Sequence, residues 1–229
     1  RQIEHVWGPP PPEPVAIVEH GMRLLASLRR GQKTGLFLDH RESRARVRAL
    51  AEGARVLDLY AYVGGFSAAA GLGGAAHVDS VDIAPEAIAL GEQVWRANGL
   101  PRERRSGHAS DVPEFLAGAR ARGDSWDLII ADPPSFAPSE ATKANALRSY
   151  AMLHTACLQV LARGGLLLAA SCSSHVSAHE LEAALAEGAS RARRVLQVLE
   201  RWGAPADHPR LLAFPEGDYL GVVLARSIG

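Results

Sequence analysis

The sequence predicts an α/β fold, an open and mostly parallel sheet that ends in an antiparallel strand pair. Three observations carry this. From Gly53 onward, short apolar runs alternate with stretches of helical length, the rhythm of βα units around a parallel sheet. The last two apolar runs, Val195–Trp202 and Tyr219–Ala225, have no clear helix between them and read as a closing antiparallel pair. Finally, 229 residues with 47% apolar content are enough for one substantial core.

The elements follow in order. Residues 1–14, with prolines at 9–12 and again at 14, favour extended geometry and read as a linker. From Val15 to Leu28 apolar residues partly alternate around His20-Gly21, which reads as a β-hairpin, with an amphipathic helix as the alternative. Gly31 to Gly35 has loop chemistry, and Asp39 is placed to N-cap a helix that runs to about Glu52. Arg55–Tyr60, His77–Ile83, Ser106–Ala109, Trp126–Ala131 and Leu166–Ser171 read as strands. Between them, Phe66–Leu72, Pro85–Asn98, Val112–Ala121 and Lys143–Ala162 read as helices, with Asn98-Gly99 and Gly164-Gly165 as stops. Ser177 and Glu180 form a capping box for a last helix.

Composition narrows the function. No run of eighteen apolar residues occurs, so a membrane span is not expected. Cys157 and Cys172 sit in unlike neighbourhoods, which suits a reducing compartment, and the cytoplasm is the expected location. The chain begins at Arg1 without Met or a signal-peptide pattern, as a fragment would. With 25 basic and 25 acidic residues, total charge gives no argument for nucleic-acid binding. Arg23, Arg29, Arg30, Lys33, Arg41, Arg44, Arg46 and Arg48 outnumber their acidic neighbours, so a basic stripe or a solvated helix face is expected there.

Ligands of parallel α/β sheets bind beyond the carboxyl ends of the strands. The first strand delivers Gly64-Gly65 just before a helix, which lets a ligand approach backbone N–H groups. The dinucleotide fingerprint G-x-G-x-x-G cannot be aligned there. The second strand ends in Asp82, suited to both hydroxyls of a ribose or to capping the helix that Pro85 opens. The third ends in Ser110-Asp111, where Asp111 either meets a purine amine or caps Val112 onward. The fourth runs into Asp132-Pro133-Pro134, whose rings fix the backbone so that a carboxylate and neighbouring carbonyls can bind a planar base edge-on. The fifth ends in Ser171-Cys172-Ser173, a thiol near a helix start, where its pKa is lowered and it becomes a nucleophile. Cys157 lies among helix leucines and reads as packing.

These tracts together resemble the class I S-adenosylmethionine-dependent RNA methyltransferases, specifically the bacterial large-subunit ribosomal RNA cytosine-C5 methyltransferases. The resemblance rests on Gly31 to Arg41, the Gly64-Gly65-Phe66 loop, Asp82, Asp111, Asp132-Pro133-Pro134, Ser171-Cys172-Ser173, Asp207-His208-Pro209 and Phe214-Pro215-Glu216-Gly217. It implies a Rossmann-like sheet and S-adenosylmethionine as cofactor. It also implies a cofactor set of Lys33, Thr34, Phe37, Asp39 and Arg41 from the front tract, with Asp58, Tyr60, Gly64, Asp82, Ile83, Ser110, Asp111 and Asp132 from the strand ends. Cys172 is the implied nucleophile and Asp132 its partner at the base, with Glu216, His208 or Asp207 as base; no metal is expected. Val63 stands where relatives usually have threonine. Relatives also carry an upstream PUA domain, which makes 15–30 a hairpin remnant of such a domain and 31–229 the methyltransferase domain. The implied partner is RNA, in particular large-subunit ribosomal RNA, with a homodimer also open.

Three functions compete at this point. Cytosine-C5 methylation needs a thiolate, and Cys172 supplies one. Guanine-N7 methylation, on the same fold, needs none. A non-catalytic RNA-binding module would have no use for Asp82, Asp132 and Cys172 together. A chain of zero net charge is further expected to bind RNA with a shallow salt dependence.

Overall fold

The structure is a computed structural model that describes residues 7–29, 31, 34–137, 139–214 and 217–228. Its elements are β1 (Val15–Glu19), β2 (Met22–Ala26), α1 (Arg41–Leu50), β3 (Arg55–Leu59), α2 (Gly65–Leu72), β4 (His77–Asp82), α3 (Pro85–Ala97) and β5 (Arg105–Ala109). Then come α4 (Val112–Arg122), β6 (Trp126–Ala131), α5 (Lys143–Val160), β7 (Leu161–Ser171), α6 (Ala178–Ala192), β8 (Leu196–Trp202) and β9 (Gly221–Ser227).

The main sheet has seven strands in the order β5-β4-β3-β6-β7-β9-β8. β5 through β7 are parallel, while β9 runs antiparallel between β7 and β8. The α/β Rossmann-like sheet with its antiparallel end and its leading hairpin is therefore as expected. The order reverses between β3 and β6, and such a switch point opens a crevice at the strand ends. One apolar layer joins α4, α5 and α6 to one face of the sheet around Leu57, Ile129 and Leu167. The other joins α1, α2 and Trp95 of α3 to the opposite face around Val56, Leu128 and Leu168.

The hairpin is built into this body. Met22, Leu24 and Ala26 share a core with Val63, Ala68, Ala69 and Val94, so its inward face is covered by α2 and α3. Glu19 and Arg44 clamp it to α1 through a buried two-pronged ion pair with 2.7 and 2.5 Å contacts. Packing thus places 15–26 within the same fold as the sheet.

Several local readings are corrected. Asp39 does not cap α1: the helix starts after His40, and the Asp39 side chain is drawn off to Tyr219. The helix read as far as Ala162 stops at Val160, because Leu161 already pairs with Trp126 across β6 and β7. The arginine run is no continuous basic stripe either. Arg44 is buried against Glu19, Arg46 pairs with Glu200 over Trp202, and Arg41 pairs with Glu42 and Asp207. Arg30 and Lys33 lie outside the described residues.

Candidate active site

Two groups of residues meet at the carboxyl edge of the sheet. The first surrounds β3 and β4. Beyond β3 the chain turns through Tyr60 and Tyr62 at positive φ (58° and 46°) into Gly64 at 74°. Left-handed tyrosines are strained, and hydrogen bonds hold the turn: Ala61 N–H to Val81 O (3.0 Å), Gly64 N–H to Ala61 O (2.8 Å) and Tyr62 N–H to Asp82 Oδ2 (2.8 Å). At Gly64 a side chain would add strain, and its Cβ would stand 3.4 Å from Gly91 Cα. The Tyr60 ring is half-buried, and burial pushes its phenol pKa up.

Asp82 receives one backbone amide on each oxygen, Tyr62 N–H on Oδ2 and Ala84 N–H on Oδ1 at 2.9 Å. Each oxygen keeps a further lone pair. The N-cap position of α3 falls to Ala84, so the carboxylate braces the turn without capping the helix. Ile83 beside it is 72% exposed, an apolar surface open to a ligand. Asp111 caps α4 by accepting Glu114 N–H (3.2 Å), and Ser110 Oγ–H donates to Asp111 O (3.3 Å).

Asp58, counted with the cofactor set, belongs behind the loop. Its side chain is only 1% exposed and accepts both Ser67 N–H (2.9 Å) and Ser67 Oγ–H (2.6 Å) on Oδ2. Burial pushes its carboxyl up to about 7 against those two hydrogen bonds, and Oδ1 has no partner among the described residues. Asp58 thus holds the start of α2 from beneath and does not reach the cleft.

The front tract lies over this loop. Phe37 meets Tyr62 edge-on at 5.6 Å, and its carbonyl accepts Arg44 Nη1–H (2.8 Å). Thr34 is exposed and bonds Leu36 O (3.0 Å), while Lys33 lies outside the described residues.

The second group surrounds β6 and β7. Asp132 leaves β6 with its side chain 20% exposed, and His40 Nε2 stands 3.2 Å from its Oδ2. Cys172, half-buried at the end of β7, places Sγ 4.0 Å from Pro133 O. Ser135 and Ser173 share a 2.7 Å hydrogen bond, and Tyr150 O–H donates to Ser171 Oγ (2.9 Å). Those bonds tie the Pro-Pro loop to the cysteine loop, so the carboxylate and the thiol are held on neighbouring parallel strands. Beyond Cys172, the capping box at Ser177 and Glu180 forms as expected. A groove of about 450 Å³ opens there, with Lys143, His175 and Asp218 in its walls. Lys143 pairs with Glu180 (2.8 Å) and His175 with Glu140 (3.5 Å). Cys157, by contrast, is fully buried in α5 and its thiol is pushed up to about 12 by burial.

Of the expected bases, Glu216 lies outside the described residues. Asp207 is held below the usual carboxylate range, chiefly by its hydrogen bond to His208 and also by Arg41, which makes it a weak base. His208 Nδ1 is 3.0 Å from Asp207 Oδ1. Sequence reading passed over His40, Ser43, Trp202 and Tyr219. His40 lies inside the quoted front tract, but nothing in that tract says which strand end it faces.

A reversing parallel sheet, a glycine turn after its first strand and acids after the next two define an α/β enzyme domain with a crevice for a nucleotide-type cofactor. From residue 3 to residue 216 the chain matches the S-adenosylmethionine-dependent methyltransferases, and it belongs to that family. Its cofactor is accordingly S-adenosylmethionine. The chain is similar to the protein named ribosomal RNA large subunit methyltransferase I of Erwinia tasmaniensis, with 38% identity over 223 residues, 97% of this chain and 56% of that protein. The protein of that name from Escherichia coli is 37% identical over 215 residues, 94% of this chain and 54% of that one. The chain thus spans about half the length of these curated relatives. Among solved structures, one described as a methyltransferase complexed with SAH superposes with a TM-score of 0.88 at 29% identity, covering 97% of this chain and 58% of that one. The tRNA m1G37 methyltransferase of M. jannaschii superposes at 0.71 with 19% identity, over all of this chain and 61% of its own, a likeness of fold alone. No helix among the described residues is long and apolar enough to cross a membrane.

Proposed function

We propose that this chain methylates C5 of a cytosine in RNA, and specifically in large-subunit ribosomal RNA, through a covalent adduct at Cys172. The observation that carries the reading is the pairing of Cys172 with Asp132 at the ends of adjacent strands, on loops hydrogen-bonded to each other. The names of the relatives support the RNA class.

The residues of the first group fit S-adenosylmethionine. Each oxygen of Asp82 has a lone pair left for a ribose hydroxyl, Ile83 offers an apolar face to adenine, and Asp111 stands at the next strand end for its amine. Gly64 and Ser67 spend their N–H groups on Ala61 and Asp58, which leaves those of Gly65 and Phe66 in the first turn of α2 for a carboxylate. Phe37 and Thr34 lie on the front tract that closes over that cleft. When bound, the cofactor supplies a methyl group on a sulfonium.

Cytosine C5 is too weak a nucleophile to take that methyl unaided. The Cys172 thiolate adds to C6, forming a C–S bond and leaving an enamine whose C5 would take the methyl as the methyl–sulfonium bond breaks, with neutral S-adenosylhomocysteine as the leaving group. Asp132 accepts a hydrogen bond from the polar edge of the ring and keeps it against the thiol. A base then removes the C5 proton, the C6–S bond breaks, and the thiolate returns with 5-methylcytosine released. His208 and Glu216 remain the stronger candidates for that base, since Asp207 is engaged by Arg41.

RNA bearing 5-fluorocytidine tests this, because fluorine at C5 cannot leave as a proton. Parent protein and Cys157→Ala should give a complex that survives denaturation, and Cys172→Ala should give none, with methylation at least about a thousandfold slower, the scale expected for loss of a nucleophile. Full methylation by Cys172→Ala, or methyl label on guanine, would rule the covalent cytosine mechanism out.

A further inference from the structure

The structure assigns His40 a positioning role: buried and carrying its proton on Nε2, it holds one oxygen of Asp132 so that the other serves the target base. The assignment deepens the reading above and rests on it.

A strand-end carboxylate is ordinarily held by amides just ahead of it in the chain. Asp82 captures the N–H two residues on, and Asp111 the N–H three residues on. Asp132 is denied the nearest of these. Pro133 and Pro134 have no N–H to give, so the rigidity of that tract comes with a carboxylate that its immediate neighbours cannot hold. Among the described residues the donor comes from elsewhere in the fold. His40, from the turn before α1 and 3% exposed, brings Nε2 to 3.2 Å from Asp132 Oδ2.

A carboxylate can only accept, so the contact with Asp132 calls for an N–H on Nε2, and a second chain of contacts suits the same tautomer. Trp202 Nε1 can only donate, and it donates to Ser43 Oγ at 2.8 Å. The Ser43 hydroxyl hydrogen is then free to turn to His40 Nδ1, 3.2 Å away. Nδ1 becomes the acceptor, and the N–H of the neutral ring is left on Nε2, facing Asp132. The Phe66 ring, edge-on at 5.3 Å, fixes the plane of the imidazole from the first turn of α2. Three separated stretches of chain, 40–43, Phe66 and Trp202, thus set the one ring that meets the carboxylate oxygen.

The charged groups around the ring are Asp132 and Asp39 on the acidic side and Arg44 on the basic side, with Arg44 already engaged by Glu19. Burial opposes a charge on His40, but the two carboxylates outweigh it and its pKa is raised. Proton gain leaves the Nε2–H in place and adds a charge beside Asp132, which weakens that carboxylate as an acceptor for the base.

The test compares single-turnover methyl transfer, at saturating labelled S-adenosylmethionine, from parent, His40→Ala, His40→Gln and Ser43→Ala to large-subunit ribosomal RNA. Cofactor affinity and melting temperature are measured beside it. His40→Ala should slow transfer about a hundredfold with cofactor affinity within twofold of the parent, the order of loss expected when a reacting group is misplaced. Glutamine puts an N–H donor near the place of Nε2, so His40→Gln should recover to within about fivefold, and it should lose the part of the acid-side fall in rate that His40 causes. Ser43→Ala, which keeps the ring but frees the tautomer, should cost about three- to tenfold. Parental rates in His40→Ala, or a His40→Gln as slow as His40→Ala, would overturn the role of His40. Normal loss and rescue with the label on guanine would keep His40 and sink the cytosine reading, and no transfer by the parent would end both.

Discussion

The two halves of the sheet edge solve the same problem in opposite ways. Beyond β4 and β5, each acid is held by backbone amides: Asp82 by Ala84 of its own turn and Tyr62 of the turn after β3, Asp111 by Glu114. Around β6 and β7, the prolines withhold the nearest backbone donors and side chains take over: His40, Ser43 and Trp202 from distant segments, and Ser135 with Ser173 between the two loops. A site held by backbone amides keeps its donors when side chains elsewhere change. One assembled from remote side chains depends on every segment that delivers them.

The contrast predicts a graded set of losses. The largest concerns the clamp that seats the front segment. Glu19→Ala leaves Arg44 buried without its partner and should destabilise the fold by about 3–5 kcal/mol in urea unfolding. Arg44 also holds the Phe37 carbonyl three residues before His40, so methyl transfer should fall at temperatures where the fold is still intact. A stability unchanged within about 0.5 kcal/mol would mean that the hairpin is dispensable and that the second group is less tertiary in origin than its contacts indicate.

Asp58 sharpens the comparison on the other side. Its folded pKa, pushed up to about 7, lies above the ordinary carboxylate value, so its contribution to stability is full below about pH 4 and is lost as pH rises toward 7. Asp58→Asn cannot ionise and should remove a loss of roughly 2–4 kcal/mol between pH 4 and 7, read from unfolding curves at several pH values. If parent and variant show the same slope, Asp58 ionises freely in the folded state and the cofactor loop is not braced by a nearly neutral acid.

Asp82 carries the smallest of the three effects. Asp82→Ala should weaken S-adenosylmethionine by about 1.5–3 kcal/mol in calorimetry, the scale of hydrogen bonds to a charged group. Adduct formation at saturating cofactor should stay near parental, because the second group does not depend on Asp82. Parental affinity in Asp82→Ala would remove the ribose role, and a lost adduct at saturating cofactor would show that the two halves are not separable.

Much of this molecule was legible in local pattern. Apolar runs alternating with helical stretches determined the βα order, because burial of one face imposes its period on the chain. Gly64, Asp82, Asp111, Asp132 and Cys172 could be placed at strand ends from the same pattern, since each ends a strand or lies in the turn after one. Asp39 was misread as a helix cap because it answers to Tyr219 instead, and Asp58, put with the cofactor by the resemblance, holds the underside of α2. The hairpin's membership in the same core, the neutralised arginines and the His40 network were decided only by tertiary structure. His40 and Trp202 are separated by 161 intervening residues, and no periodicity links two positions that meet only when β8 takes its place at the far edge of the sheet. Local sequence sets which face of an element is buried; which remote side chain then satisfies a buried polar atom is set by the packing that brings them together.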